Sequence, residues 1–517
     1  MEYAWTFMSV LFFSAQLVFA DYEYGRKFTR LHPQSQSDKH WTIFTATVQP
    51  PKRPSYREPK WNNYTPSPTA TYLTRLPYKD IEEFTVRTTC TDYKKQIEKL
   101  RVGMESNTIL DLSSIGAQKL GHLFIHSPHV KTLYLNDNNI TEISTTAFQG
   151  LPNLEVLTLS NNKIPTDKLL YLKEHETLKT LLLDDNNGSN SNLDQMFDNM
   201  PRLTELSLKR DGIKNFTVNL KEFAPSLTKL YLSGNKIQST DFLNNVPEKL
   251  SHLYLDNNNI DTLTGYKLDN VQELFVNENK IKQVGSKEED NDERRLTLDG
   301  MTKLVKLNVS SNEISNVAQN AFTDTKNLIE LDLSNNKIAE LLNDIFKGLS
   351  LLETLRISKN QLIFIPNLCW SNRLKSLDLS DNHIVAVTRE SFCNNQFTDT
   401  NELFNTNKDS FRKLSMLQWL DLSGNRIVNF PVDLIHEPTY LKVLLLKDNN
   451  IASINDLFNV RSNTLKELHL EGNPLLFITV NFMPNLKIHL MKCKETIELE
   501  NTTVSTTTSK KTDGYWR

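Results

Sequence analysis

Four cysteines, eleven histidines and sixty-two carboxylates are the raw material for chemistry in this 517-residue chain, and their spacing excludes most of it. There is no Cys-x-x-Cys pair, P-loop, Gly-x-Ser-x-Gly elbow or His-Glu-x-x-His motif. The histidines do not cluster along the sequence with cysteines or acids, so neither a metal nor a cofactor is expected. Asp332 and Asp378 are the most plausible pair of facing carboxylates, but on a solvated sheet face such groups serve recognition more often than acid–base catalysis, and an enzyme is not expected. The net charge of −3, with acids and bases interspersed, argues against nucleic acid or an anionic membrane as partner.

The remaining chemistry is recognition. Tyr231, Tyr254 and Phe275 follow one another at offsets of 23 and 21 residues, and two places before each stand Lys229, His252 and Glu273. An aromatic patch rimmed by polar groups is the usual anchor of a protein interface, although aromatic residues also fill sheet surfaces simply because they suit strands. Further along, Asp332, Arg356, Asp378 and Asp421 recur at the same place and offer charge instead of apolar area.

These residues share a face only if the chain repeats, and it does. Leu227, Leu230, Leu232, Asn235 and Ile237 return as Leu250, Leu253, Leu255, Asn258 and Ile260. The pattern L-x-x-L-x-L-x-x-N-x-L/I starts at Val130, Leu154, Leu178, Leu203, Leu227, Leu250, Val271, Leu304, Leu328, Leu352, Leu374, Leu417, Leu441 and Leu465, and register is lost only twice. Within each unit the L-x-L segment predicts a short strand with one buried face, and successive strands pair in parallel. The Asn turns the chain away, its amide able to donate to and accept from neighbouring backbone. One unit has Asp211 there, which accepts but does not donate when ionised, and a looser turn is expected. Phe148, Phe197, Phe223, Phe242, Phe322, Phe346 and Phe458 predict a second apolar column on the return side. TILDLSSI, with Leu110 and Leu112, reads as the first strand of a cap, and NLKIHL as the last strand.

With this motif the chain resembles the extracellular leucine-rich-repeat proteins of animals, of the 24-residue type found in Toll ectodomains, chaoptin and the acid-labile subunit. The resemblance covers about residues 105–490. It implies an α/β solenoid of horseshoe form, with a parallel concave β-sheet and short helical or irregular convex segments, while saying little about the ligand. In its exported array, unstructured arm and unpaired cysteines the chain is also similar to the leucine-rich-repeat immune proteins of mosquitoes, which work as disulfide-linked complexes; it lacks the C-terminal coiled coil many of them carry.

The two lapses of register are insertions. GSKEEDNDERR (285–295) is highly charged and is expected to form an exposed loop; 391–413 is a longer insertion or a degenerate repeat. Cys369 and Cys393 lie 24 residues apart, one repeat length, and are either a disulfide between adjacent units or two buried thiols. Cys90 and Cys493, at opposite ends of the stack, either stay free or link chains into a dimer.

The domain plan is a signal peptide (1–20), a Pro/Thr/Tyr-rich arm with no apolar period (21–80), an N-terminal cap (81–129), the array (130–484), a C-terminal cap (485–500) and a Thr-rich tail (501–517). No segment long and apolar enough to span a membrane is found, so a secreted, extracellular protein without a membrane anchor is expected. The sequons at Asn63, Asn139, Asn187, Asn215, Asn308 and Asn501 are candidate glycan sites. A glycan on Asn308 would divide the aromatic from the charged half of the face. The expected function is recognition of another extracellular protein through the concave face, with innate immunity as one setting for such a molecule; a matrix or cell-adhesion component is the alternative.

Overall fold

The computed structural model describes residues 108–490, with breaks at 171, 173–174, 187–191, 194–198, 286–293, 389–390, 393–413, 432–439, 455–463, 476 and 479–485, together with 497–498. The signal-peptide, arm and tail assignments, and with them Cys90, Cys393, Cys493, Asn63, Asn187, Asn501, Phe197 and Phe458, lie outside the described residues.

Among the described residues the main sheet has 17 strands. Each rung of the array contributes three residues, as in Lys229–Tyr231, His252–Tyr254 and Glu273–Phe275. Rung after rung pairs in parallel with equivalent residues opposite one another: Leu230 faces Leu253, which faces Leu274. The TILDLSSI segment supplies Ile109–Asp111, paired in the same register with Thr132–Tyr134. NLKIHL supplies Lys487–His489, beside Glu467–His469, and Ile497–Glu498 closes the edge in antiparallel. The starting residue of every repeat, from Val130 to Leu465, is buried.

The turn after each strand has a fixed conformation. The residue immediately before each ladder position, from Asp137 to Gly472, has a positive φ between 49° and 78°. The types found there are Asn, Asp, Gly, Ser, Lys, Arg and Glu, with no β-branched residue, as sterics in the left-handed region require. At Gly424 the constraint is double, because an added Cβ would meet the Asp381 carboxylate of the preceding turn.

The amide ladder forms as the spacing predicts. Asn258 Nδ2 donates to the Leu232 carbonyl of the rung before (2.9 Å) and to Leu255 in its own turn (3.0 Å), while its Oδ1 accepts from Ile237 N–H (3.0 Å). The same bonds recur from Asn138 to Asn473. Buried backbone groups of the turns thereby find partners without water.

The turn at Asp211 is not looser, contrary to expectation. Asp211 is 0% exposed; its Oδ1 accepts from Asn186 N–H at 2.6 Å, its N–H donates to Asn235 Oδ1, and its carbonyl accepts from Thr166 Oγ1. The cost appears elsewhere: Oδ2 has no hydrogen-bond partner among the described residues, and burial pushes the carboxyl up to about 8. Asp184 and Asp185 push in the same direction, whereas the Asn186 bond and Arg210 oppose them. At neutral pH the group is therefore largely protonated, which restores the donor that an Asn would have supplied.

Among the described residues the return side is mostly irregular, with one helical turn at Leu220–Phe223 and 3-10 segments at Thr166–Lys168 and Asp241–Asn245. Phe148, Phe223, Phe242, Phe322 and Phe346 are buried there, and Phe322 stacks on Phe346 at 6.1 Å. Two-residue strands form small side sheets. One borders the charged insertion: Arg295–Leu296 pairs with Gln283–Val284, which also pairs with Asn316–Val317. Gly285 and Leu296, at the two edges of the insertion, are buried, while 286–293, on which the exposed-loop expectation falls, lie outside the described residues.

Candidate functional site

The solvent face of the main sheet carries two columns of side chains, one on each side of the buried Leu of every strand. In the second column Tyr231, Tyr254 and Phe275 are brought together as the spacing predicts. Tyr231 and Tyr254 stack at 4.6 Å between ring centroids with planes 12° apart, and Tyr254 and Phe275 at 4.9 Å and 24°. The separation equals the strand spacing, so an in-register parallel sheet stacks such rings without strain. Lys209 Nζ lies over the Tyr231 ring, 4.4 Å from its centroid.

The strip is less exposed than an outward-facing column implies. Tyr231 is 8% exposed, covered on one side by Tyr254 and capped by Lys209, while Tyr254 and Phe275 are half-buried. Tyr254 is also pinned: its hydroxyl donates to Glu273 Oε2 at 2.5 Å. Burial, then that bond to a carboxylate, raise the Tyr254 phenol well above its ordinary value. In the first column Lys229, His252, Glu273 and Lys306 follow in register. Lys306 Nζ reaches Glu273 at 3.3 Å and Glu330 at 4.0 Å. Burial holds the His252 imidazole below its ordinary value against the pull of Glu273, so it is neutral at pH 7, and its Nδ1 meets Ser251 Oγ at 2.8 Å.

The charged half is also in register, Asn308 facing Asp332, then Arg356, Asp378 and Asp421. Its carboxylates are not free recognition groups. Asp332, Asp378 and Asp421 each accept, through Oδ1, the backbone N–H two residues on, at Ser334, Ser380 and Ser423 (2.9, 3.0 and 2.8 Å). Asn308 does the same with Ser310 at 3.0 Å. The signal was present in the sequence as Asp-Leu-Ser, three times in this half and once at Asp111, an Asx-turn pattern that outward-pointing arithmetic overlooks. Burial raises the carboxyls of Asp332 and Asp421, the latter to about 6. Asn308 is 8% exposed, so the sequon expected to divide the face belongs to an enclosed side chain. Asn139 and Asn215 are exposed, and Asn215 Nδ2 donates to Asn192 Oδ1.

Cys369 is disulfide-bonded. Leu368 N–H donates to the Phe392 carbonyl at 2.9 Å, which brings the chain beside Cys393 to the neighbouring unit.

One cluster has no counterpart along the sequence, where the histidines do not gather with acids: the fold brings potential ligand atoms of His469, Glu471 and His489 within 4.8 Å of one another. The signal was the shared place of His in ELHL and KIHL, obscured because the terminal repeat no longer shows the full motif.

The sequence matches the leucine rich repeat family over 107–168 and 302–362, its two-copy form over 225–268, and its single-repeat form over 373–398 and 416–437. Parallel rungs, buried Leu columns and an unbroken turn ladder agree with those matches. The chain carries leucine-rich repeats over these residues. Among its relatives, Podocan of Mus musculus is 28% identical over 386 residues, 67% of this chain and 60% of that protein. Toll-like receptor 8 of Homo sapiens is 31% identical over 210 residues, 36% of this chain and 18% of the receptor. The leucine-rich-repeat chain thus spans less than two thirds of either relative. Among solved structures, the Toll–Spatzle complex of Drosophila is similar with a TM-score of 0.54 at 20% identity, covering 75% of this chain and 51% of that one, a likeness of fold. Among the described residues no helix is long and apolar enough to cross a membrane.

Proposed function

We propose that this is a secreted, non-enzymatic recognition protein that binds another extracellular protein through the solvent face of its sheet, with innate immunity as its setting. The observation that carries the reading is the stacked strip of Tyr231, Tyr254 and Phe275. It is rigid, rimmed by Lys229, His252, Glu273 and Lys306, and stands where neighbouring polar residues are engaged with their own backbone. Large aromatic side chains held in one conformation lose little entropy on binding and dominate interface energetics. The Toll chain whose fold this one resembles is solved in complex with Spatzle, a precedent for recognition of a protein by such a solenoid. Asp332, Arg356 and Asp378 would then form the polar flank of the contact and not its anchor.

The test is capture from native fluid, with identification of what is retained, by the wild-type chain and by Tyr254→Ala combined with Phe275→Ala. These two rings are the more accessible ones, so the variant removes contact area while keeping Tyr231 in place. Capture should fall by about 100-fold, the sum expected for two anchors, with the thermal transition monitored as control. Equal capture by a folded variant would sink the reading.

Cys90 and Cys493 are proposed as inter-chain links and Cys369–Cys393 as the internal disulfide; a non-reducing gel should show a dimer that collapses on reduction. A monomer in both lanes removes the first idea. The sequons at Asn63, Asn139, Asn187, Asn215, Asn308 and Asn501 are proposed glycan sites, with Asn139 and Asn215 the exposed ones among the described residues, to be read by mass after enzymatic deglycosylation.

A further inference from the structure

At the C-terminal end of the same face a second pair of rings is stacked, and its chemistry differs from that of the aromatic strip. His469 and His489 face each other in parallel register, their rings 4.0 Å apart and 2° from coplanar. His469 Nδ1 lies 3.3 Å from Glu471 Oε1, and its Nε2 lies 3.6 Å from Glu467 Oε2. Glu471 is nearly enclosed, its side chain 12% exposed beside 14% for His469, and its Oε2 has no hydrogen-bond partner among the described residues. Lys447 Nζ, 3.5 Å from Oε1, is the nearest cation.

The geometry points to a binding site for a divalent transition metal of the borderline class that zinc represents, held by His469, His489 and Glu471. Two imidazoles and one carboxylate are a donor set such ions favour over calcium or magnesium, which take oxygen. The ligand atoms already lie within 4.8 Å of one another. Bonds of about 2.0–2.1 Å in a tetrahedral arrangement place ligands about 3.3 Å apart, so the side chains must draw together by about an ångström on binding. Glu467, 3.6 Å from the far nitrogen of His469, stands on the side where an outer carboxylate orients a metal-bound histidine. The unpartnered oxygen of Glu471 gains a ligand, and Lys447 turns out to solvent. Three protein ligands leave a fourth position for water or for a side chain of a bound protein. This site lies many rungs from the aromatic strip and does not rest on the function proposed for that strip.

Calorimetric titration of the full chain with zinc chloride at neutral pH, with cobalt absorption as a spectroscopic probe, tests it. The expected result is one zinc per chain at this site, a raised thermal transition with zinc, and a tetrahedral cobalt band. His489→Ala should weaken zinc binding by about 100-fold and Glu471→Gln by at least about 10-fold, while His126→Ala, an exposed histidine elsewhere, leaves it unchanged. Circular dichroism reports whether His489→Ala folds; if it does not, the nearly isosteric Glu471→Gln decides. Absence of zinc binding by the wild-type chain, or equal binding by Glu471→Gln, overturns the site.

Discussion

The strands that end at Tyr231, Tyr254 and Phe275 and those that end at Asp332, Asp378 and Asp421 share one scaffold, with the same buried Leu, the same left-handed turn and the same Asn, yet they use their solvent-facing side chains in opposite ways. In the first region rings stack across strands, and side chain meets side chain. In the second each carboxylate bends back to the N–H of its own turn. A position on a repeat is thus either available to a partner or already employed, depending on whether its own side chain is a short acceptor that reaches the backbone N–H two residues on. Even the buried carboxylates follow this division. Asp332 and Asp421 are compensated by local bonds, whereas Asp211, in the turn next to the aromatic strip, keeps an unpartnered oxygen.

Loss of the two accessible rings, Tyr254→Ala with Phe275→Ala, is the largest effect expected, about 100-fold in capture of the partner. Asp378→Ala in the other region should leave capture within about 2-fold; a larger loss there would reverse the assignment of the anchor. Next comes Asp211→Asn, which supplies the donor without having to take up a proton. The sign follows from linkage: the folded chain holds its proton up to about pH 8, the unfolded chain releases it near pH 4. This group therefore favours the folded state fully below about pH 4, and its contribution is lost as pH rises through about 8. Asp211→Asn should raise stability by on the order of 2 kcal/mol at pH 7, and the gain should vanish near pH 4 in denaturant titrations at the two pH values.

Smaller effects separate the regions further. Asp378→Ala should cost about 1 kcal/mol of stability through the lost bonds to Ser380, while Asp378→Asn, which keeps the acceptor, should be near neutral by the same titration. Tyr254→Phe removes only the bond to Glu273; a loss of about 0.5–1.5 kcal/mol is expected, with the ring stack and capture retained.

Much of the fold was legible in the chain itself. The offset of Leu230 and Leu253 gave the parallel register, and the Asn of each turn gave the ladder, because both depend on short segments whose neighbours are copies of themselves. The aromatic strip was legible for the same reason. Less visible were the enclosure of Tyr231, which depends on Lys209 from the preceding rung, and the strand Arg295–Leu296 at the end of a charged insertion, which depends on an apolar site between Leu263 and Val284. The protonation of Asp211 belongs with these, since burial rather than sequence neighbours sets it.

The sequence alone therefore determined which residues become neighbours across the sheet: a fixed period and a fixed turn leave one way to stack. Only the tertiary structure decided what those neighbours do. Whether rings cover one another, a carboxylate spends itself on its own backbone, or His469 and His489 meet Glu471 depends on burial and on the donors within a few ångströms, and a repeat pattern holds neither.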